Sequence, residues 1–138
     1  MIDAGTNAGK RAMERLRDDR VGWLTTVTPG GQPQSSPVWF LWENGDLVVM
    51  SLATTPRLAN VRANPRVAFN LNSTPGGGEV VTIEGEARIV EEPLAEETLA
   101  AYWAKYDASL ADEGWSREKF RVDYPVVMRI RPAHARVW

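Results

Sequence analysis

Cysteine is absent from the 138 residues. No disulfide, thiolate nucleophile or cysteine-held zinc or iron–sulfur centre is therefore available, and folding needs no oxidising compartment. Histidine occurs once, as His134. One imidazole cannot build a multi-histidine metal site, so a surface or interface position is expected for it. Neither sign of charge is in real excess: 16 Lys and Arg against 18 Asp and Glu leave a formal net charge of −2. That balance gives no general pull toward nucleic acid or a membrane surface. No apolar run approaches the ~20 residues of a bilayer span, and the first residues lack a signal-peptide core, so a cytoplasmic location is expected. No nucleophile-elbow pattern surrounds Ser35, Ser36 or Ser51. The carboxylates Glu91-Glu92 and Glu96-Glu97 flank a helix start, where they suit the helix dipole and solvation. The side chains offer little reactive equipment, and an enzyme made of them needs a bound cofactor to carry its reaction.

What is present is a globular composition, 43% hydrophobic and 25% charged, in a chain of ordinary one-domain length. A single domain over 1–138 is expected, with residues 1–20 as an N-terminal helical region. "NAGKRAMERLRDDR" reads as that helix, with Ala12, Met13 and Leu16 on one stripe. "VGWLTTVT" alternates as a strand, "PGGQP" turns the chain, and "QSSPVWFLW" is a second strand. The Asn-Gly of "ENGD" is a tight-hairpin signal leading into a third strand, "LVVMSL", and the three form a meander. A short helix from Pro56 to Ala63 precedes the strand "RVAFNLN". "STPGGGE" matches no phosphate-loop pattern and reads as a flexible connection. "VVTIEGEARIVEE" is a long strand in which Gly85 suggests a bulge. "PLAEETLAAYWAKYDASLADEG" is the longest helix, "SREKFRVD" a shorter one capped by Ser116, and "YPVVMRIRPAHARVW" one or two strands interrupted by Pro132. Strands and helices do not alternate, so the fold class is α+β: a small antiparallel β-barrel of about six strands with peripheral helices.

One stretch asks for a ligand. "SLATTPRLAN" sets Ser51, Thr54 and Thr55 before a helix that opens Pro56-Arg57. Hydroxyls and free N–H groups at a helix start, with an arginine in the first turn, make a seat for a phosphate. An ordinary cap, Thr55 with Pro56 at the first helical position, reads the same way. Just upstream, Pro37 marks the second strand as an edge or bulge, so the backbone from Val38 through Trp39 to Phe40 is open to pair with a planar ring. Trp39 or Trp42 would wall that ring. Six tryptophans are many for this length, and core, interface and pocket all remain open as their places.

In order and spacing, "GWLTTVTPGGQPQSSPVWFLWENGDLVVMS", "PRLANVRANPRVAF" and "VTIEGEARIV" resemble the pyridoxamine 5'-phosphate oxidase-like split-barrel superfamily of flavin and deazaflavin proteins. The resemblance runs from Arg20 to Trp138 and is nearest the small actinobacterial proteins that use coenzyme F420, a deazaflavin. It implies a homodimer of six-stranded split barrels, the FMN-binding split barrel, with two cofactors in clefts between the subunits. It implies that Arg57, three residues before Asn60, meets the cofactor phosphate. Thr54, Thr55 and Pro56 would wrap that phosphate after Ser51, and Val38, Trp39 and Phe40 would flank the ring. The tail of F420 beyond its phosphate calls for further positive charge, for which Lys10 and Arg11 are the candidates; a solvated helix face is their ordinary role. The end "HARVW" lacks the Arg-x-Glu-Phe-Trp type of ending of true pyridoxamine phosphate oxidases, so vitamin B6 oxidation is not expected. The implied function is F420-dependent hydride transfer to a small conjugated or unsaturated molecule. FMN in place of F420, and a non-catalytic dimer holding haem or another tetrapyrrole, are the alternatives.

Overall fold

Thr6 opens the first helix, α1 (Asn7–Asp18), because its hydroxyl accepts the Gly9 N–H at 3.0 Å. Ser116 does the same for Lys119 at the start of α4 (Arg117–Asp123). The computed structural model describes residues 1–138, and between these helices lie β1 (Gly22–Val27), β2 (Pro33–Val38), β3 (Leu41–Glu43), β4 (Asp46–Ser51), α2 (Pro56–Ala63), β5 (Arg66–Leu71), β6 (Val81–Val90) and α3 (Glu96–Asp112). β7 (Val126–Val137) follows α4. The β3–β4 turn is the Asn-Gly pair read from sequence, with Asn44 at φ 52° and Gly45 at φ 81°.

The seven strands form one antiparallel sheet in the order β2-β1-β5-β6-β7-β4-β3. That corrects the expected six. The segment read as one strand, "QSSPVWFLW", is two, and the break falls at Trp39-Phe40. The Phe40 N–H donates to the Tyr106 hydroxyl at 2.8 Å, and its carbonyl accepts from Lys105 Nζ at 2.8 Å. Both backbone groups are thus satisfied by α3, not by a neighbouring strand. The break also dictates the shape. β2 and β3 lie at opposite edges of the sheet, which laid flat would be roughly 29 Å apart at about 4.8 Å per strand. The three Cα steps from Val38 to Leu41 reach at most about 11 Å. The sheet must curl until its edges meet at this link, and the result is an α+β half-barrel with four helices.

The curl makes an inside. Leu24, Phe40, Phe69, Ile83, Met128 and Ile130 fill it, together with Leu16 of α1 and Leu58 of α2. A second core lies on the other face of β4 and β7, where Tyr102, Trp103 and Tyr106 of α3 and Phe120 of α4 pack on Val48, Met50 and Val127. Strand β4 is consequently buried on both faces, Leu47 and Val49 toward the first core and Val48 and Met50 toward the second. The bulge expected at Gly85 is present: register shifts between Glu84 and Gly85, and Gly85 stands opposite Pro132. A Cβ at Gly85 would lie 2.3 Å from the Arg131 carbonyl oxygen, so only glycine fits. The bulge is also where a proline can sit inside a strand, and β7 runs unbroken through Pro132.

Candidate functional site

α2 begins where β4 ends, with Thr55 in extended conformation as N-cap and Pro56 in the first turn. The Thr55 side chain makes no capping hydrogen bond and no acidic residue occupies the first turn, so the helix start keeps its donors and positive end. Arg57 is half-buried beside it. Its Nη2 donates to Ser36 Oγ on β2 at 2.9 Å, and no ion pair links it to a carboxylate. Burial lowers its pKa, with the nearby Tyr124 acting the other way. Asn60, one turn on and 5% exposed, fastens the helix to the sheet. Its Nδ2 donates to Thr26 Oγ1 at 3.0 Å and Gln34 Oε1 at 2.9 Å.

Two cavities meet at Arg57. One, of about 230 Å³, is walled by Thr26, Gln34, Ser36, Thr55 and Arg57, with Pro56 beside them, and holds no large apolar side chain. The other, of about 450 Å³, is mostly apolar, with Val38, Trp39, Met50, Trp115, Phe120 and Tyr124 among its walls. Its charged residues are Arg57 and Glu113. The two cavities flank β2, whose outer edge has no strand neighbour. Trp39 is held as a rigid wall, stacked on Tyr106 (centroids 4.5 Å, planes 5° apart) and on Phe120 (5.5 Å, 17°). Behind it, the Tyr106 hydroxyl faces the Arg20 and Phe40 carbonyls at 2.6 and 2.9 Å, and burial pushes its pKa up. Lys105 sits 3.7 Å above the Phe40 ring, where burial pulls its pKa down to about 8. Such an arrangement can hold an anion in the polar cavity and a flat apolar body in the adjoining one. The guanidinium would serve both.

Not every residue singled out in the sequence reaches these cavities. Thr55, Pro56 and Arg57 line the polar one; Val38, Trp39 and Arg57 line the apolar one. Ser51 is fully buried and organises the loop, bonding the Leu52 carbonyl at 3.0 Å and standing 3.3 Å from Thr55 Oγ1. Thr54 is exposed beside the cap. Phe40 belongs to the core, its ring edge-on to Phe69 and its backbone taken by α3, so Val38 and Trp39 are left to flank a ring. Lys10 is exposed on α1. Arg11 bonds Glu79 at 3.2 Å and Glu14 at 3.4 Å and lines a separate cavity beside Trp138. His134 is exposed on the outer face of the sheet, in a cavity with Glu84 and Glu86. Sequence reasoning missed Ser36 and Gln34, whose only signal was that they alternate with Val38 on one side of a mostly exposed strand. It also missed Glu113, Trp115, Phe120 and Tyr124, which reach the site only through the docking of α3 and α4.

The sequence pattern described as pyridoxamine 5'-phosphate oxidase matches residues 8–138. No curated protein matches the chain significantly. Among solved structures, a conserved hypothetical protein from Mycobacterium tuberculosis is 26% identical with a TM-score of 0.73, over 96% of this chain and 84% of that one. A protein named F420 reductase is 24% identical with a TM-score of 0.68, over 89% and 94%. The haem storage protein from Vibrio cholerae is 17% identical with a TM-score of 0.67, over 93% and 89%. These likenesses share a fold, while the two ligands that their names give, F420 and haem, differ. The family pattern spans nearly the whole chain, over the same strands and helix that build the two cavities, and the chain therefore belongs to the pyridoxamine 5'-phosphate oxidase family.

Proposed function

We propose that the chain is an oxidoreductase that binds coenzyme F420, acts on a small conjugated or unsaturated molecule, and works as a homodimer with its cofactor clefts between subunits. The observation that carries this reading is Arg57, a half-buried guanidinium without a carboxylate, placed where a polar cavity joins an aromatic one. The residues fit such a cofactor. Arg57, Ser36 and Thr55 would hold the phosphate, the free α2 N-terminus adding its dipole. The open edge of β2 at Val38, with Trp39 just beyond it, would lie along the ring, and the wall of Trp39, Trp115 and Phe120 would exclude water from it. A reduced deazaflavin, when bound, supplies a hydride; this chain's part is to position and to shield.

FMN is the second reading, and Arg11 favours it. Its ion pairs with Glu79 and Glu14 leave Lys10 as the free cation of the pair expected to meet a tail. A tetrapyrrole reading has less support, because His134 lines a different cavity from Arg57. Titration of the purified protein with F420 and with FMN, followed by fluorescence and sedimentation, tests the proposal. Saturable F420 binding tighter than FMN, to a dimer, is expected. Tight FMN binding with negligible F420 affinity would replace the deazaflavin, and a stable monomer with cofactor bound would overturn the architecture.

A further inference from the structure

Glu113 occupies an odd place for an acid. It is the C-cap of α3, following Asp112, and the last turn of that helix has no basic residue. A carboxylate there faces the negative end of the helix dipole. The helix does not need it as a stop. Gly114, at φ 71°, reverses the chain, its N–H bonds the Ala111 carbonyl at 3.1 Å, and the Trp115 N–H bonds the Leu110 carbonyl at 2.8 Å. Nor is the acid neutralised. Arg117, four residues on, is committed to Asp107 through two bonds of 3.0 and 2.6 Å. The Glu113 side chain has no hydrogen bond or ion pair of its own, yet it lines the aromatic cavity whose other charged residue is Arg57. The two opposite charges share one cavity without pairing.

We propose that Glu113 sets the charge class of the molecule that enters the aromatic cavity: a flat conjugated compound bearing an ammonium or an N–H donor, in preference to one bearing a carboxylate. The inference rests on the reading of Arg57 as the phosphate anchor, since a phosphate there answers the guanidinium and leaves Glu113 as the uncompensated charge. Trp39 and Trp115 receive the flat body, and the carboxylate at the rim attracts the polar end. Because Glu113 is exposed, the discrimination is a few-fold in each direction and weakens with salt.

Three probes of one shape and different charge test this: cinnamylamine, cinnamamide and cinnamate, titrated calorimetrically at low and at 0.3 M salt. The protein is used both free and loaded with whichever of F420 or FMN it takes up. In the loaded protein the expected order is amine, amide, carboxylate, with about a tenfold amine-to-carboxylate ratio at low salt that shrinks at high salt, whereas in the free protein the unanswered Arg57 in the same cavity lowers that ratio. Glu113→Gln, which keeps size and removes charge, should bring that ratio down to within about twofold of Glu113→Ala. An unchanged ratio in Glu113→Gln, or no binding of any probe by the wild-type protein, overturns the proposal. Failure to take up either cofactor would instead defeat the Arg57 reading, while the change in ratio between wild type and Glu113→Gln, measured on the free protein, still reports on Glu113.

Discussion

Removing the Arg57 guanidinium should separate binding from stability, because binding depends on it strongly and stability hardly at all. In the free protein the group is half-buried without a carboxylate, and burial already disfavours its charge. Its one hydrogen bond goes to a neutral hydroxyl, Ser36 Oγ at 2.9 Å. Arg57→Ala therefore loses a bond worth about 1 kcal/mol and relieves a desolvation cost of similar size. The unfolding free energy should change by less than about 0.5 kcal/mol. Toward a phosphate the same group makes charge-assisted bonds, for which about 1.5–3 kcal/mol is the usual range. Its partial exposure points to the lower half, about 1.5–2 kcal/mol, or a loss of roughly 10- to 30-fold in affinity. Calorimetric titration with F420 and FMN, set against their dephosphorylated forms, reads this directly. Thermal unfolding of the free variant reads the other half. The phosphate-bearing ligands should weaken and the dephosphorylated ones should not. Equal losses for both would mean that Arg57 acts through the fold, and the site assignment would fail.

Asn60→Ala removes both side-chain bonds to Thr26 and Gln34 and leaves the buried Thr26 hydroxyl without its donor; urea unfolding should show a loss of about 2 kcal/mol. Gly85→Ala drives a methyl against the Arg131 carbonyl, a backbone atom that cannot swing away, and should cost about 1–3 kcal/mol by the same measurement. Lys105 has its folded pKa lowered to about 8 from 10.5. Between those values the unfolded chain carries a proton that the folded one has released, so the Lys105 contribution to stability rises with pH across this window and is lost as pH falls through about 8. The urea midpoint of wild type relative to Lys105→Met should therefore climb from pH 7.5 to 9.5. A flat difference would refute it, and the buried phenols Tyr102 and Tyr106, shifted upward, act only at higher pH.

Local signals were legible wherever local chemistry decides. The bounds of α2, Pro56 to Ala63, the Ser116 cap, the Asn44-Gly45 turn and the bulge at Gly85 were all written in neighbouring residues. The break between β2 and β3 was not. "SSPVWFLW" has the composition of one strand, and it is interrupted because a tyrosine hydroxyl 66 positions away takes the Phe40 amide. The site divides in the same way. Thr55-Pro56-Arg57 could be found as a helix start, whereas Ser36, 21 residues earlier, becomes Arg57's partner only when β2 and α2 come together. The aromatic wall was hidden for a related reason. Phe120 and Tyr124 lie four apart on a short helix and at its end, but Trp115 precedes that helix, so no single periodicity links the three.

The sheet order also fixes when the site can come into being. β7 pairs with β6 on one side and β4 on the other, joining Val90 to Val127 and Ser51 to Val126. Until that strand is laid down, β4 and β3 form a hairpin detached from β2-β1-β5-β6, and the link at Trp39-Phe40 spans nothing. The local hairpins can form early, but the curl depends on pairings some 75 residues apart in the chain, which form slowly. A growing chain therefore carries Arg57 and Ser36 long before the aromatic wall stands beside them. In that interval β4, apolar on both faces, is the segment most exposed to wrong partners.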